Sequence, residues 1–307
     1  MGFLDFLKSL FATTPTDEFG RMEPDLPPGK YDVVELTRRL GMSVEELNAV
    51  RPSYHLFTLP KRSGGMRQIT APDPELKTLQ RRILRRLLAR LKVHPAVTGF
   101  EKGHSIVTHA AFHADQAVVL RLDIRDFFAS TPARRVRDYF RRIGWTDDAA
   151  RLLTRLTTHE GGLPQGAPTS PRLSNLVNYR MDARLEGLAH RLDARYSRYA
   201  DDLTFSFSVD DANRIRRLIA SVTVILHESG YRVRRQKLRI RRRHQQQRVT
   251  GLVVNGGRPR LPRGTRRWLR AVEHHLATGR QATLTPAQLE GWRNFRAMIE
   301  RQGGPMT

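Results

Sequence analysis

Hydrophobic positions along this chain switch repeatedly between the 3.6-residue spacing of helices and the two-residue spacing of strands. Met1 to Phe11 is amphipathic at helical spacing and predicts a docking helix, either against this protein or against a partner. Thr14 to Lys30, rich in Pro, Gly and Asp, reads as a linker. A short helical unit is expected over Tyr31 to Val50, and two extended segments around Ser63-Gly64-Gly65 read as a hairpin. From Pro74 to His94 the residues Leu76, Leu79, Ile83, Leu84, Leu87, Leu88 and Leu91 share one helical face. Arg81, Arg82, Arg85, Arg86 and Arg90 mostly cover the other face, as a solvated surface over a core helix or as a contact for an anionic partner.

Further on, a strand over Ala117 to Ile124 precedes helices near Pro132 to Ile143, Asp147 to Thr158 and Pro171 to His190. A hairpin is expected around Ala200-Asp201, with Leu203, Phe205 and Phe207 alternating against Thr204, Ser206 and Ser208 as a half-buried surface. A helix over Asp210 to Ser229 and strands over Tyr231 to Ile240 and Arg248 to Val254 follow. From Gly256 onward the chain is helical and basic, with ten Arg against three Glu. The pattern is mixed α+β, without an internal repeat.

Composition narrows the function. The 307 residues suffice for one large globular unit or two to three small ones, with 39% hydrophobic residues. Fifty-four Lys and Arg against 30 acids give a net charge of +24. The basic residues run through the whole chain instead of clustering beside one apolar segment, so nucleic acid is favoured over a membrane surface as the anionic partner. No apolar run approaches the roughly 18 residues of a membrane helix. The N-terminal segment lacks a basic n-region, and Phe6 breaks the myristoylation pattern. With no cysteine there are no disulfides, thiolate ligands or cysteine nucleophiles, which fits a cytoplasmic location.

Candidate chemistry sits in three segments. Alternation places Val118, Leu120, Leu122 and Ile124 on one face of the first strand and Asp123 on the other, at its C-terminal end. Tyr199-Ala200-Asp201-Asp202 sets adjacent carboxylates at a hairpin tip, where like charges repel unless a cation lies between them. Asp-Asp pairs also occur in ordinary solvated turns. Bringing Asp123 beside that turn would make a cluster of hard oxygen ligands suited to Mg²⁺, and two such ions suit nucleotidyl transfer. Gly162-Leu163-Pro164-Gln165-Gly166-Ala167-Pro168-Thr169-Ser170-Pro171 is either a rigid connector or a loop whose amides and Gln165 line a nucleotide pocket.

In this order the three segments resemble the palm of reverse transcriptases from about Leu59 to Val254, and most of all bacterial retron reverse transcriptases. Leu59-Pro60-Lys61-Arg62-Ser63-Gly64-Gly65-Met66-Arg67 resembles the fingers hairpin that grips a triphosphate, and Leu122-Asp123-Ile124-Arg125-Asp126-Phe127-Phe128 the first palm motif. Leu163 to Asn175 resembles the retron form of the next motif, and Val249-Thr250-Gly251 a retron hallmark near the primer grip. One departure is that His109-Ala110-Ala111-Phe112-His113 has His where the retron pattern starts with Asn.

The resemblance implies a right-hand polymerase fold: an N-terminal extension over 1–50, fingers over 51–116, a palm over 117–255 with a fingers insertion around 130–165, and a short helical thumb over 256–307. It implies catalytic Asp123, Asp201, Asp202 and Lys237, with Ile124 beside the three acids in a site for two Mg²⁺ ions. Lys237 is the only Lys after Lys102 and, unlike Arg, can give up a proton, so it is the candidate general acid. Lys61, Arg67, Phe128, Gln165 and Gly166 would bind the nucleotide, with Phe128 as an aromatic gate against a 2′-hydroxyl. Val249, Thr250, Gly251, Arg263, Arg266, Arg267 and Arg270 would hold RNA and primer; Trp268 and Trp292 fit a core better than a base-stacking platform.

The activity implied is RNA-directed DNA synthesis from dNTPs on a cognate structured non-coding RNA, primed at a 2′-hydroxyl to give a branched RNA–DNA product. A role in phage defence with a separate effector protein comes with the resemblance. No ribonuclease H domain is expected after the thumb, so RNA trimming would fall to a host ribonuclease H. The rivals are a diversity-generating or group II intron-like reverse transcriptase, an RNA-dependent RNA polymerase, and an RNA-binding scaffold or antitoxin component.

Overall fold

A computed structural model of the chain describes residues 29–60 and 64–304. The docking helix expected over Met1 to Phe11, the linker up to residue 28, and Lys61 lie outside them. The architecture is α+β, with antiparallel pairing in all three sheets. No helix among the described residues is long and apolar enough to cross a membrane. Contacts divide the chain into two compact units, each built from three stretches of sequence.

The first unit takes the chain up to Val97, then Ile124–Leu185 and Ser221–Val233. The helical unit expected near its start is two helices, Val33–Leu40 and Val44–Ala49, because Gly41 turns left-handed at φ +63°. Asp32 caps the first, and Ser43 with Glu46 forms a capping box on the second. Strands β1 (Tyr54–Pro60) and β2 (Met66–Pro72) form the expected hairpin, pairing Tyr54 with Pro72 and Pro60 with Met66.

The helix expected from Pro74 to His94 runs over Pro74–Ile83 and then widens into a π turn at Leu84–Leu88. Carbonyls at its exit are drawn off by the Arg172 guanidinium, which donates to Leu88, Ala89 and Leu91. Two arginines of its basic face cap another helix: Arg82 Nη1 donates to the Leu40 carbonyl at 3.2 Å and Arg86 Nη1 to Arg39 at 3.0 Å. The single helix expected over Pro171 to His190 is two, Ser170–Val177 and Tyr179–Arg191. Asn178 breaks it by donating its side-chain amide to the Ser174 carbonyl and the Tyr231 hydroxyl. Leu36, Leu40, Leu47, Ile83, Phe140, Leu153 and Leu173 form the core, each contributing about 1.5–3 kcal/mol by burial.

The second unit comprises Thr98–Asp123, Glu186–Ala220 and the chain from Arg234 onward. Its sheet carries β3 (Val118–Asp123), β4 (Ala194–Tyr199), β5 (Asp202–Phe207) and β6 (Arg239–Arg242) in the order β4-β5-β3-β6. The strand expected over Tyr231 to Ile240 shrinks to β6. Ahead of it, Arg234 N donates to the Asp123 carbonyl, and a one-turn 3₁₀ segment, Arg235–Lys237, replaces extended chain.

The strand expected over Arg248 to Val254 is a miniature hairpin, β7 (Arg248–Val249) and β8 (Leu252–Val253). Its turn is Thr250-Gly251, with φ of +47° and +89°. Two positive φ values make the I′-type twist that matches paired strands. The hallmark triplet is therefore a turn, and the β-branched Thr250 is held against its preference by its Oγ1 donating to the Ile106 carbonyl at 2.7 Å. A helix unanticipated in the sequence, Ile106–Phe112, is capped by Ser105 and Thr108 and packs with β7, β8 and the helices Arg263–Ala277 and Pro286–Gln302 around Val107, Val249, Leu252, Leu269 and Leu289. Trp268 and Trp292 meet edge to face at 5.6 Å against this core.

Candidate active site

Antiparallel pairing of β3 with β5 sets Asp123 directly opposite Asp202. Tyr199 pairs with Asp202 across the other side of β5, so Ala200 and Asp201 alone make the turn. Ala200 takes φ +57°, a conformation that costs an L-residue energy and persists only when its surroundings impose it. Three contacts do so. Thr98 and Gly99 donate their backbone amides to the Arg198 carbonyl at 3.0 and 3.4 Å. The buried Arg198 donates Nη1 to the Ala200 carbonyl at 3.1 Å. Gly99 lies so close that a Cβ there would fall 2.6 Å from the Ala200 nitrogen.

Beneath the turn the sheet is polar and dry. Thr204 and Ser206 are as buried as Leu203 and Phe205, so the half-buried surface expected for β5 is buried on both faces. The reason is a pair of buried histidines that satisfies the hydroxyls. His113 bridges the Ser206 Oγ at 2.8 Å and the Ser197 Oγ at 2.7 Å; His109 Nδ1 meets Thr98 Oγ1 at 2.7 Å and Ser197 Oγ at 3.1 Å. Its ring also touches Tyr199 edge-on, centroids 5.6 Å apart. Burial, with the Arg121 charge second, pushes His109 down to about 3, and burial pushes His113 well below the ordinary imidazole range. Both are neutral structural groups at pH 7.

The carboxylates occupy different surroundings. Lys237 Nζ donates to Asp123 Oδ2 at 2.6 Å, an exposed amine on a half-buried acid. Asp123 Oδ1 is buried with no hydrogen-bond partner, the Arg234 Nε standing off at 3.5 Å. Both Asp202 oxygens are taken by Arg121, through Nε at 3.2 Å and through Nη2. Burial raises Asp202, outweighing the lowering by Arg121; burial and then the Asp123 charge raise Asp201. Arg121, Leu122, Asp123, Asp202, Lys237 and Arg239 line a cleft of about 300 Å³.

Sequence reading did not single out Arg121. The signal was the strand period itself, since residues two apart share a face. Among the described residues no three His, Asp or Glu side chains converge as a ready ligand set. The donor chemistry nevertheless fits a hard divalent cation: an orphaned buried carboxylate oxygen on Asp123, with the acid of Asp201 close enough to feel its charge.

Other residues singled out from the sequence are distributed as follows. Ile124 is buried and its backbone bridges to Val233. Phe128 is half-buried against the core of the first unit, its ring 5.4 Å from Phe127. Arg67 is exposed on β2 opposite Leu59, and the loop carrying Gln165 and Gly166 joins the same strand, Thr70 N donating to the Gln165 carbonyl at 2.8 Å. Val249 is buried, and Thr250 and Gly251 form the β7–β8 turn. Arg263, Arg266, Arg267 and Arg270 are exposed on one helix, none paired with an acid among the described residues. Arg266 and Arg270 also edge a groove of about 550 Å³ between this helix and the last one, with Arg258, Arg260 and Trp292.

The family model described as reverse transcriptase (RNA-dependent DNA polymerase) matches residues 59–254, a span that includes all three acids and Lys237. The Retron Ec86 reverse transcriptase of Escherichia coli is 34% identical over 280 residues, covering 89% of this chain and 86% of that protein. The chain belongs to the retron reverse transcriptases. Two further members of this family, from Myxococcus xanthus, are the Retron Mx162 reverse transcriptase, 38% identical over 88% of the chain, and the Retron Mx65 reverse transcriptase, 42% identical over 80%. The chain spans 64% and 61% of the lengths of these two retron reverse transcriptases.

Proposed function

We propose that this protein is the RNA-directed DNA polymerase of a retron, copying part of a cognate structured non-coding RNA into single-stranded DNA from a 2′-hydroxyl primer. The observation that carries the reading is the cross-strand opposition of Asp123 and Asp202 at the tip of β3, beside a constrained Asp201 turn and an orphaned buried carboxylate oxygen. Membership in the retron family supplies the substrate class.

In this reading the second unit's sheet is the palm, the β1–β2 hairpin belongs to the fingers, and the helices from Arg263 onward form the thumb. Asp123, Asp201 and Asp202, with Ile124 beside them, make the acidic cluster for two Mg²⁺ ions. When bound, those ions supply Lewis-acid activation of the attacking hydroxyl and stabilisation of the leaving pyrophosphate. Lys237, 2.6 Å from Asp123, carries a proton at the edge of the cleft and is the group to deliver it to the pyrophosphate. Arg67, with Lys61, grips the triphosphate of a dNTP; Gln165 and Gly166 line its pocket. Phe128 excludes the 2′-hydroxyl of a ribonucleotide, because a hydroxyl buried against an aromatic ring finds no partner. The Thr250-Gly251 turn and the unpaired Arg263, Arg266, Arg267 and Arg270 hold RNA and primer through phosphates. The product is a branched RNA–DNA hybrid, trimmed by a host ribonuclease H and working in phage defence with a separate effector protein in the cytoplasm.

The test is to express the gene with its flanking DNA and sequence the nucleic acid that co-purifies, before and after DNase, RNase and a debranching enzyme. A discrete single-stranded DNA joined to RNA by a debranchable linkage, lost in Asp201→Asn, is the expected result. RNA without any DNA product from the unaltered protein would sink the polymerase reading and leave an RNA-binding scaffold.

A further inference from the structure

Asp123 and Asp202 face each other at the end of β3, with Asp201 in the adjoining turn, and their surroundings divide the three acids unequally. Arg121 stands two residues before Asp123 on the same strand face and opposite Thr204, so it reaches Asp202 along the cross-strand diagonal. It engages both Asp202 oxygens, through Nε at 3.2 Å and Nη2, while its Nη1 donates to the Arg248 carbonyl at 3.3 Å. Three nitrogens of one guanidinium are thus fixed, and the fork matches the carboxylate in the two-point geometry that Lys cannot reproduce. The pair is largely shielded, with side chains 32% and 20% exposed, so solvent and salt compete with it weakly.

Asp123 is held quite differently. Its Oδ2 meets a single amine, Lys237 Nζ at 2.6 Å, whose side chain is 50% exposed. Its Oδ1 is buried without a hydrogen bond, with only the Arg234 Nε nearby at 3.5 Å. Asp201 makes no ion pair with any other side chain among the described residues, and the turn aims it at the same end of the sheet.

We propose that Arg121 is a positioning residue that withdraws Asp202 from the metal. Asp123 and Asp201 then supply the protein's side-chain ligands, and Asp202 works as an anion locked to Arg121 that holds the strand ends in register. This rests on the metal reading of the acidic cluster. It divides the tandem pair: the first acid binds the cation, the second binds the protein. It also makes Arg121 a control on metal affinity, because Arg121→Gln would release a third carboxylate into the site while removing one positive charge from it.

The test uses the full chain without nucleic acid and Mn²⁺ as the paramagnetic probe, titrated by electron paramagnetic resonance, with circular dichroism confirming the fold of each variant. Asp123→Asn and Asp201→Asn should each weaken Mn²⁺ binding at least about tenfold, whereas Asp202→Asn should change it less than about threefold. Arg121→Gln should tighten Mn²⁺ binding by several-fold and lower the Mg²⁺ concentration for half-maximal DNA synthesis. Equal losses for Asp201→Asn and Asp202→Asn, or unchanged binding in Arg121→Gln, would overturn the assignment while leaving the metal site standing. Mn²⁺ binding indifferent to all three acids would instead remove the metal reading itself. Should Arg121→Gln fail to fold, Arg121→Lys keeps the charge without the fork. Tighter Mn²⁺ binding in that variant supports the proposal, and wild-type binding refutes it.

Discussion

At the residue scale, chemistry was legible where the residue type carried it, and illegible where only a partner gave it meaning. Asp123, Asp201 and Asp202 stood out as acids in strand and turn positions, and the fold brings Asp123 and Asp202 face to face. Arg121 looked like any of the many basic residues until the strand pairing placed Asp202 under its fork. Asp201→Asn is expected to lower primer extension by at least about 100-fold with an unchanged circular dichroism spectrum, as for loss of one preorganised charge at a reacting centre. Phe128→Ala should reduce the preference for dNTPs over NTPs, measured as the ratio of kcat/KM values; an unchanged ratio removes the gate. His109 allows a pH prediction. Its pKa in the fold lies near 3, below the ordinary 6.5, so its contribution to stability is complete above 6.5 and is lost as pH falls from there towards 3. The loss is up to about 2 kcal/mol for one histidine by pH 5, and buried His113 acts in the same direction. Asp201 and Asp202, raised by burial, act in the opposite sense, favouring the fold in acid. The urea midpoint should therefore fall between pH 7 and pH 5, and fall less in His109→Asn, which isolates the histidine part. An equal fall in that variant would show that His109 does not carry it.

At the element scale, hydrophobic spacing located most helices and strands but missed what ends them. The helix expected to run unbroken through residue 178 splits there because Asn178 spends its amide on Ser174 and Tyr231. The strand expected after Tyr231 gives way to the 3₁₀ turn that brings Lys237 to Asp123. Both outcomes depend on partners distant in the chain, which periodicity does not see. The Ile106–Phe112 helix escaped notice because seven residues are too short for a period to register, although Ser105 and Thr108 spell out its capping box. The Ala200–Asp201 turn depends on an element outside the sheet: Gly99 leaves no room for a side chain against it. Gly99→Ala should displace the turn and lower DNA synthesis by about 10- to 100-fold, with the far-ultraviolet spectrum retained. Wild-type activity in that variant would mean that the turn keeps its place without the close approach.

At the scale of the whole molecule, a net charge of +24 spread over the chain predicts binding to RNA that weakens steeply with salt. Fluorescence anisotropy with a labelled structured RNA should give a linear fall of log affinity against log salt. The double variant Arg266→Ala with Arg270→Ala should flatten the slope by about 1.4 units, since each of two phosphate contacts on a single strand accounts for about 0.7. An unchanged slope would move the RNA contacts away from that helix. The pairing of β3 with β5 also bears on how the protein is born. Arg121 and Asp202 stand 81 residues apart in sequence, and closing a loop of that length costs about 4 kcal/mol of chain entropy before any contact across it is made. A polypeptide emerging from the ribosome therefore carries β3 as an unpaired edge while the intervening helices are still being made. Asp123 and Asp202 come together only after β5 has left the exit tunnel, so the acidic cleft is assembled late in synthesis, and nascent chains shorter than that lack it.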